Sequence, residues 1–346
     1  MKKYLLLFTV SFVMYLMAGF SSSDAQSLGT QELEFIIPGT ERHVVAEVYY
    51  PTEGKKDSKE VDHGIWKRRS YIKDAPLASQ GIPYPLVIFS HGWQGDRFGN
   101  SWIAEALVDA GYVVVMIDHA HDNSYEHSDE FVYTSLWQRP LDLSALLDYL
   151  LKDPKWSQAI DKSRIAAGGF SFGGLTSLWL AGIEGDAKAY KEAMESEARW
   201  SDWPQSVKDR ASKVDWTKAA KSYYDSRVKA VFSIAPALGK GFQPQGIQQA
   251  KVPILIIVGD KDRITPPDIN ADFFYSHLKN ADLMTIKGAE HFTFMNSCSA
   301  LGEAITPHLC QETPAISRFK AHKEAADKLI AFLKEKLNIT NAQKAL

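Results

Sequence analysis

The sequence predicts an α/β fold in which a mostly parallel sheet is covered by helices on both faces. From residue 85 onward, short continuous apolar runs alternate with segments of helical periodicity. Such apolar runs are typical of strands buried on both faces, and their alternation with helices is typical of a parallel sheet. Two earlier strand-like runs flank a Pro38-Gly39 pair, which predicts an antiparallel hairpin at the start.

The individual elements follow from these patterns in chain order. The hairpin strands are predicted at 32–37 and 44–50, and residues 51–84 are polar and are expected to be irregular. Buried strands are then predicted at 85–90, 112–117, 164–168, 228–235, 254–258 and 282–286. Helices are predicted at about 99–110, 139–152 and 174–181. A final amphipathic helix has an apolar side formed by Ile316, Phe319, Ala326, Ile330, Leu333 and Leu337.

The alternation breaks between residues 182 and 227. This stretch is charged and too long for a simple connection. Its aromatic residues are Trp200, Trp203, Trp216, Tyr223 and Tyr224. We expect a helical, cap-like insertion over the carboxyl edge of the sheet, within a single domain spanning residues 26–346. A solvated surface segment without a role in binding is the alternative.

Composition narrows the classes of function. The 346 residues are 45% hydrophobic and 23% charged, which is typical of a globular protein, and the net charge is −3. Without a basic stripe to neutralise phosphates, nucleic-acid binding is not expected. No segment after the first 25 residues is apolar over the length of a membrane span. The expected partner is a small molecule, and the oligomeric state is left open.

The first 25 residues have the layout of a secretory signal peptide. Lys2 and Lys3 precede an apolar run over residues 4–20, and Ser23-x-Ala25 supplies small residues for cleavage. A single membrane anchor is the alternative, although the run is at the short end for a span. We therefore predict an exported protein, periplasmic or secreted.

Export changes the interpretation of the two cysteines. Cys298 and Cys310 form an even pair with a short spacing, which predicts a disulfide in an oxidising compartment. A zinc site is the less favoured alternative, because no histidines lie nearby at zinc-ligand spacing.

The candidate nucleophile lies in a G-x-S-x-G pentapeptide, Gly169-Phe170-Ser171-Phe172-Gly173. The pentapeptide follows the predicted strand 164–168 and precedes the predicted helix 174–181. That context is the one required for a nucleophile elbow, in which a sharp turn exposes the serine at the top of the sheet. A glycine-rich tight turn with an incidental serine is the alternative.

A serine hydroxyl needs a base, and the base needs a carboxylate. His291 follows the last predicted strand, and the loop after strand 254–258 carries Asp260 and Asp262. The order serine, acid, histidine at successive strand ends matches the order that this mechanism has on such sheets. Asp262 is preferred, because the turn must leave the sheet before a carboxylate can point back toward His291, and Asp260 is kept as an alternative.

The oxyanion formed by the attack needs preorganised donors. One should be the backbone N–H of Phe172, the residue after the nucleophile. The other should come from the loop after strand 85–90, where we expect the N–H of Trp93. In the same loop, His91 is expected to pack the loop rather than to transfer protons.

Five potential metal ligands follow the predicted strand 112–117. They are Asp118, His119, His121, Asp122 and His127. No helix-spaced histidine pair or H-E-x-x-H motif accompanies them, so a polar loop lining the pocket is favoured over a metal site. No metal and no cofactor is predicted.

Six stretches together resemble a known group within the α/β-hydrolases. They are Pro85-Leu-Val-Ile-Phe-Ser-His-Gly92, Gly111-Tyr-Val-Val-Val-Met-Ile-Asp-His119, Arg139-Pro-Leu-Asp142, Gly169-Phe-Ser-Phe-Gly-Gly174, Val252-Pro-Ile-Leu-Ile-Ile-Val-Gly259 and Glu290-His-Phe-Thr-Phe294. Over residues 32–335 the chain resembles exported bacterial proteins called predicted dienelactone hydrolases, which are related to plasma-type platelet-activating factor acetylhydrolases. The resemblance implies an α/β-hydrolase fold, a Ser171, Asp262 and His291 triad, and oxyanion donors at Trp93 and Phe172. Phe170 departs from the pattern, since these relatives often carry histidine there.

The sequence thus predicts an exported serine ester hydrolase that acts through an acyl-enzyme. Aromatic residues near the catalytic positions are expected to favour compact acyl groups or small lipid-like esters. They are Trp93, Phe170, Phe172, Phe292 and Phe294, together with the aromatic residues of the 182–227 insertion. Two alternatives remain, an amidase or peptidase on the same fold and a non-catalytic binding protein with an idle triad.

Overall fold

A computed structural model describes the chain over residues 27–53, 59–79, 81–128, 134–197 and 204–339. The predicted signal peptide lies outside these residues. The described strands are β1 Ser27–Ile36, β2 His43–Thr52, β3 Glu60–His63, β4 Trp66–Arg69, β5 Ile72–Lys73, β6 Tyr84–Ser90, β7 Val113–Asp118, β8 Ile160–Phe170, β9 Val228–Ile234, β10 Ile254–Gly259 and β11 Ala281–Ile286.

Nine of these strands form one sheet in the order β11-β10-β9-β8-β6-β7-β2-β1-β5. From β11 to β7 all neighbours are parallel, whereas β2 is antiparallel to both β1 and β7. The mostly parallel sheet with an N-terminal antiparallel hairpin is therefore confirmed. Because the parallel strands all end on one side, the loops that follow β6, β7, β8, β10 and β11 meet at one edge of the sheet.

Helices cover the sheet on both faces. They are α1 Ser101–Asp109, α2 Gln138–Lys152, α3 Trp156–Ala159, α4 Phe172–Leu180, α5 Ala187–Glu197, α6 Gln205–Ala211, α7 Pro244–Ile247, α8 Ala271–His277, α9 Ala300–Ile305, α10 Pro307–Cys310 and α11 Arg318–Lys336. The apolar sides of α2 and α4 build one buried cluster, and those of α1 and α11 build the other. None of the helices in the described ranges is long and apolar enough to cross a membrane.

The expectation of irregular structure over 51–84 is wrong in part. The strands β3 and β4 pair as a separate antiparallel hairpin, and β5 adds to the main sheet beside β1. The sequence of β4 does not show the alternation of apolar and polar residues, because its two buried side chains are Trp66 and Arg68. An inward-facing arginine breaks the alternation of apolar and polar residues by which half-buried strands are recognised.

The apolar side predicted for the last helix is also wrong at one position. Phe319 is 80% exposed, whereas its neighbour Arg318 is 2% exposed. The Arg318 guanidinium donates to the carbonyls of Met295 and Asn296, at 3.2 and 2.8 Å, so the buried side of α11 begins with a charged residue that is bonded to backbone oxygens. Hydrophobicity alone assigns the two neighbours to the wrong sides of the helix.

The described part of the 182–227 segment contains the helices α5 and α6, and several of its aromatic side chains pack into the core. Tyr190 is fully buried, and its ring lies 5.8 Å from that of Trp179 and 6.3 Å from that of Trp216. Tyr223 packs against Trp179 as well, at 5.9 Å. These rings extend the core on the face of α4. Trp200 and Trp203 lie outside the described residues.

Candidate active site

Ser171 stands at a strained turn between β8 and α4. Its backbone angles are φ 57° and ψ −117°, a conformation that residues with a side chain rarely adopt. A Cβ atom at Gly169 would lie 2.0 Å from the carbonyl oxygen of Gly173, and one at Gly173 would lie 1.9 Å from that of Ser90. Only glycine fits at both positions, so steric contacts account for the two glycines of the pentapeptide. The turn places Ser171 at the carboxyl edge of the sheet.

His291 and Asp262 meet at that same edge. The imidazole Nδ1 of His291 lies 2.7 Å from Oδ2 of Asp262, and both side chains are buried. The other carboxylate oxygen, Oδ1, accepts the backbone N–H groups of Ile264 and Thr265 at 2.9 and 2.8 Å. The Thr265 hydroxyl donates to Oδ2 at 2.9 Å. Asp262 is thereby fixed in position and orients the imidazole. Thr265, which holds this carboxylate, was not identified from the sequence.

The alternative carboxylate, Asp260, faces elsewhere. Its Oδ1 accepts the backbone N–H of Gly288 at 2.6 Å, and its Oδ2 lies 3.9 Å from the ammonium of Lys261. Asp260 therefore stabilises the loop that leads from β11 to His291. The structure brings Asp262, and not Asp260, to the imidazole.

The short segment that carries His291 is held from several sides. It forms a 3₁₀ turn, His291–Phe294, and Glu290 and Thr293 close a reciprocal capping box around its start. The His291 ring lies 4.7 Å from that of Phe170, the residue before Ser171. On the far side of the turn, the Nε2 of His322 donates to the Thr293 carbonyl at 2.8 Å.

The chain after this turn is closed by a disulfide. Cys298 and Cys310 are bonded, with their Cα atoms 5.5 Å apart, as the sequence predicts. The Asn296 side chain bonds to the Ser101 hydroxyl at 2.7 Å, and Arg318 bonds to the carbonyls of Met295 and Asn296. The loop is thus held both by a covalent bond and by buried polar contacts.

The loop after β6 runs beside the serine. A Cβ atom at Gly92 would lie 3.4 Å from the Cβ of Ser171, so the backbone of this loop passes close to Ser171. Trp93 follows and is 46% exposed, with its ring 6.5 Å from that of Phe172. Phe172 is the first residue of α4, where a helix leaves its N–H without an intrahelical acceptor.

Only part of the expected aromatic wall faces the site. Phe170 and Phe294 are 3% and 0% exposed and belong to the core, so they cannot line a pocket. Trp93 and Phe292 are more exposed, Phe172 is 9% exposed at the border of the other core cluster, and the Phe292 ring lies 5.5 Å from that of His291. A cavity of about 200 Å³ opens beside His291. Its lining includes Lys261, Arg263, Ile264, Phe292, His308 and Gln311.

Four of the five side chains considered as metal ligands are bonded within the protein, and the fifth residue, His127, forms a backbone bridge with Asp122. Asp118 pairs with Arg97, His119 with Asp142, His121 with Glu126, and Asp122 with Arg139. In the described parts of the chain, no group of three or more histidine, cysteine or acidic residues could hold a metal ion.

One of these pairs is part of a second serine–histidine–aspartate array, which sequence reasoning missed. The Nε2 of His119 lies 2.8 Å from the Ser90 hydroxyl, and its Nδ1 lies 2.8 Å from Oδ2 of Asp142. All three side chains are fully buried. Arg42 pairs with the other carboxylate oxygen at 2.5 Å, and Arg139 contacts the Ser90 hydroxyl at 3.3 Å. All three residues lie in stretches that carry the family resemblance, but nothing in the sequence indicated that their side chains meet.

Burial and neighbouring cations set the charge of this array. Burial, reinforced by Arg139, holds the pKa of His119 well below its usual value, so the imidazole is neutral. Burial raises the pKa of Asp142 to about 7, against the opposing effect of Arg42 and Arg139. Burial, again with Arg139, also lowers the pKa of His91 well below normal. These histidines act as fixed hydrogen-bonding groups.

Comparison with known proteins gives a family for this chain. The model of the prolyl oligopeptidase family matches residues 98–301, more than half of the chain. Cutinase est1 of Thermobifida alba is 33% identical over 108 residues, and cutinase 2 of Thermobifida cellulosilytica is 32% identical over 108 residues. The matched part is 31% of this chain in both cases, and 33% and 37% of the two cutinases. The chain thus spans about a third of the length of the curated relatives it matches.

A solved structure extends the likeness over nearly the whole chain. The ferulic acid esterase from Streptomyces cinnamoneus aligns with a TM-score of 0.61, covering 90% of both chains at 17% identity. Such a likeness concerns the fold. Together with the sheet order and the family match, it identifies the architecture as an α/β-hydrolase fold.

Proposed function

The chain belongs to the prolyl oligopeptidase family, and on that premise we propose that it is a serine hydrolase of carboxylic esters. The observation that carries the proposal is the buried Asp262–His291 pair at 2.7 Å beside the strained turn of Ser171. Acyl transfer needs a serine whose proton a carboxylate-oriented histidine can take, and this pair lies at the same sheet edge as Ser171.

In the proposed reaction, the hydroxyl of Ser171 attacks the ester carbonyl while Nε2 of His291 takes its proton. Asp262 accepts the Nδ1–H of the imidazole, so it fixes the tautomer and stabilises the imidazolium that forms. The N–H groups of Trp93 and Phe172 bind the oxyanion. His291 then returns the proton to the leaving alcohol, an acyl-enzyme remains, and water activated by His291 releases the acid.

The substrate class rests on the relatives and on the remaining aromatic wall. The relatives that match this chain by sequence are named as cutinases, which favours ester cleavage over amide cleavage. Trp93 and Phe172 place rings beside both oxyanion donors, which restricts depth on the acyl side. We therefore propose esters with a compact acyl group, including small lipid-like esters, as substrates.

The family description supports a second candidate, cleavage of peptide or amide bonds. Amides need more efficient protonation of the leaving nitrogen, so the two activities separate on matched substrates. The discriminating measurement compares kcat/KM for an ester and an amide that share one acyl group. A higher value for the amide would favour the peptidase and overturn the esterase proposal.

Fluorophosphonate labelling and a p-nitrophenyl ester series test the main proposal. Labelling at Ser171 and kcat/KM highest from acetyl to butyryl are expected. One methylene in an apolar pocket changes transition-state binding by about 1–3 kcal/mol, so the decline by octanoyl should be steep. Absence of both labelling and ester turnover would favour a binding protein, and a maximum at decanoyl would refute the compact acyl site.

Export is part of the proposal. The predicted signal peptide over residues 1–25 and the Cys298–Cys310 disulfide both fit an oxidising compartment. Fractionation of cells that express the full chain tests this, with periplasmic or secreted protein lacking the first 25 residues as the expected result. Full-length protein retained in the cytoplasm would contradict it.

A further inference from the structure

Arg139 is a buried cation that the proposed reaction does not use. It is 1% exposed, and it lies at the start of α2 in the Arg139-Pro-Leu-Asp142 stretch. A charged side chain is rarely buried so completely unless its donors are all engaged. The contacts of Arg139 therefore indicate what the cation is there to hold.

Those contacts converge on the loop beside Ser171. Its Nη1 donates to the carbonyl oxygen of His91 at 2.6 Å, and its Nη2 donates to that of Gly92 at 2.9 Å. Its Nε donates to Oδ2 of Asp122 at 2.7 Å. The other oxygen of Asp122 accepts the backbone N–H of Gln94 at 3.1 Å. The Arg139–Asp122 ion pair thus binds three backbone groups of this loop, which are the carbonyls of His91 and Gly92 and the N–H of Gln94.

The carbonyl oxygen of Gly92 is held most strongly. Besides Arg139, the Nδ1 of His91 lies 2.6 Å from it, and the N–H of Gly95 donates to it at 3.2 Å. The Nε2 of His91 accepts the backbone N–H of His119 at 3.2 Å, so the proton of the neutral imidazole belongs on Nδ1. Gly92 therefore has three donors on a single oxygen.

This carbonyl and the N–H of Trp93 belong to the same peptide unit. Because that unit is planar and trans, its N–H points opposite to its C=O. Donors that fix the Gly92 oxygen on the Arg139 side therefore fix the Trp93 N–H on the opposite side. Gly92 itself lies against the Cβ of Ser171, so the orientation of this peptide matters where the ester carbonyl would react.

We propose that Arg139 is a positioning residue that orients the Trp93 N–H as an oxyanion donor, an inference that rests on the proposed function. Arg139 does not touch substrate, and it acts through the peptide between Gly92 and Trp93. Asp122 completes the clamp by aligning the guanidinium and by holding Gln94, whose φ of 51° is a strained conformation.

The test is Arg139→Lys, which keeps the charge but cannot span two carbonyls and a carboxylate. Arg68→Lys is the matched control, since Arg68 is also 2% exposed but bonds to the Tyr49 hydroxyl and stacks between Tyr71 and Phe98. Active sites are counted by fluorophosphonate labelling, and kcat is expressed per labelled site. This correction removes any loss caused by partial unfolding.

For Arg139→Lys we expect kcat per labelled site to fall by about 10²-fold, the scale of losing one oxyanion donor, with KM within about threefold. Affinity for a trifluoromethyl ketone, whose adduct carries an oxyanion, should fall by about the same factor as kcat/KM. Arg68→Lys should leave both quantities within about threefold. A purely structural role would not lower ketone affinity and kcat together.

Unchanged kcat per labelled site in Arg139→Lys, or a change confined to KM, would overturn the proposal. If that variant does not fold, Asp122→Asn decides by the same two measurements, with an expected kcat loss of about tenfold. Failure of the proposed function itself is distinguishable, because wild-type protein would then show neither labelling nor ester turnover.

Discussion

A buried serine–histidine–aspartate array and the proposed edge array of Ser171, His291 and Asp262 lie close together at one edge of the sheet, and their surroundings differ. Ser90 ends β6 and is paired in register with Gly169, two residues before Ser171. Contacts link Ser90 to His119 and His119 to Asp142, whereas in the proposed edge array the contact is that of His291 with Asp262. Identity of the three residue types is therefore not what makes a nucleophile.

Backbone and charge distinguish the two. Ser171 stands on a strained turn at the start of a helix, whereas Ser90 is the last residue of a strand and is 0% exposed. The Ser90 hydroxyl receives a contact from Arg139, and burial, together with that cation, lowers the pKa of His119 so that its protonation is unfavourable. A histidine that cannot take up a proton cannot serve as a base. The buried array is a structural bracket, and the edge array is the candidate machinery.

The largest expected effect separates the two serines. Ser171→Ala should lower kcat/KM for a p-nitrophenyl ester by about 10⁴-fold or more with the fold intact. Ser90→Ala leaves a buried imidazole nitrogen without its donor, so it should lower the free energy of unfolding by about 1–3 kcal/mol while kcat/KM stays within about tenfold. Ester kinetics and urea unfolding measure both. Equal losses of kcat/KM in the two variants would contradict the assignment of different roles to Ser171 and Ser90.

The next effect concerns the carboxylate of the edge array. Asp262→Asn cannot hold the same imidazole tautomer, so kcat should fall by about 10⁴-fold. Asp260→Asn is the control, because Asp260 bonds to Gly288 and not to the imidazole, and its kcat should stay within about threefold. Steady-state kinetics at one pH decide it. A larger loss of kcat in Asp260→Asn than in Asp262→Asn would show that the assignment of Asp262 as the carboxylate of the triad is wrong.

Local sterics explain how much of this site could be predicted from the sequence. The glycines around Ser171 are required by contacts within the pentapeptide and its neighbouring strand, so a short motif records them. His291 and Asp262 follow consecutive strands, and parallel strands end at a common edge. Chain order therefore predicted that they would lie close together, along with the sheet that carries them.

The contacts of the buried array and of Arg139 could not be predicted in this way, although these residues lie in stretches that carry the family resemblance. Ser90 and His119 are 29 residues apart, and His119 and Asp142 are 23 apart, so their contacts depend on how β6, β7 and α2 pack. The same limit applies to Arg68 in β4 and Arg318 in α11, which are buried charges that interrupt apolar patterns. A charge is assigned to the surface until its buried partners are known.

His119 and His291 also lie on different kinds of backbone segment, and removal of the disulfide tests whether that difference matters. His119 directly follows β7, whereas His291 lies on a short turn whose continuation is closed by the Cys298–Cys310 bond. Replacing both cysteines by serine should lower the free energy of unfolding by about 3 kcal/mol in the chain-entropy model. Because Arg318 still bonds to Met295 and Asn296, kcat should stay within about threefold. A large kcat loss with the fold intact would make the bridge a part of the catalytic geometry.

The smallest expected effect comes from His322, which supports the His291 turn through the Thr293 carbonyl. Its ring is buried and stacks on Trp102 at 4.2 Å. Burial, with a smaller effect of Arg318, lowers the pKa of His322 to about 3. The unfolded chain binds a proton near pH 6.5 that the folded chain does not bind until about pH 3, so wild-type stability is lost as pH falls through that window, at up to about 1.4 kcal/mol per unit.

His322→Gln offers an amide donor in place of the imidazole and does not titrate. Urea unfolding at about pH 7.5 and about pH 5.0 should therefore show the variant gaining about 2 kcal/mol relative to wild type at the lower pH. Parallel stability curves would mean that His322 is protonated in the folded protein, and the support of the His291 turn would then have to be charged rather than neutral.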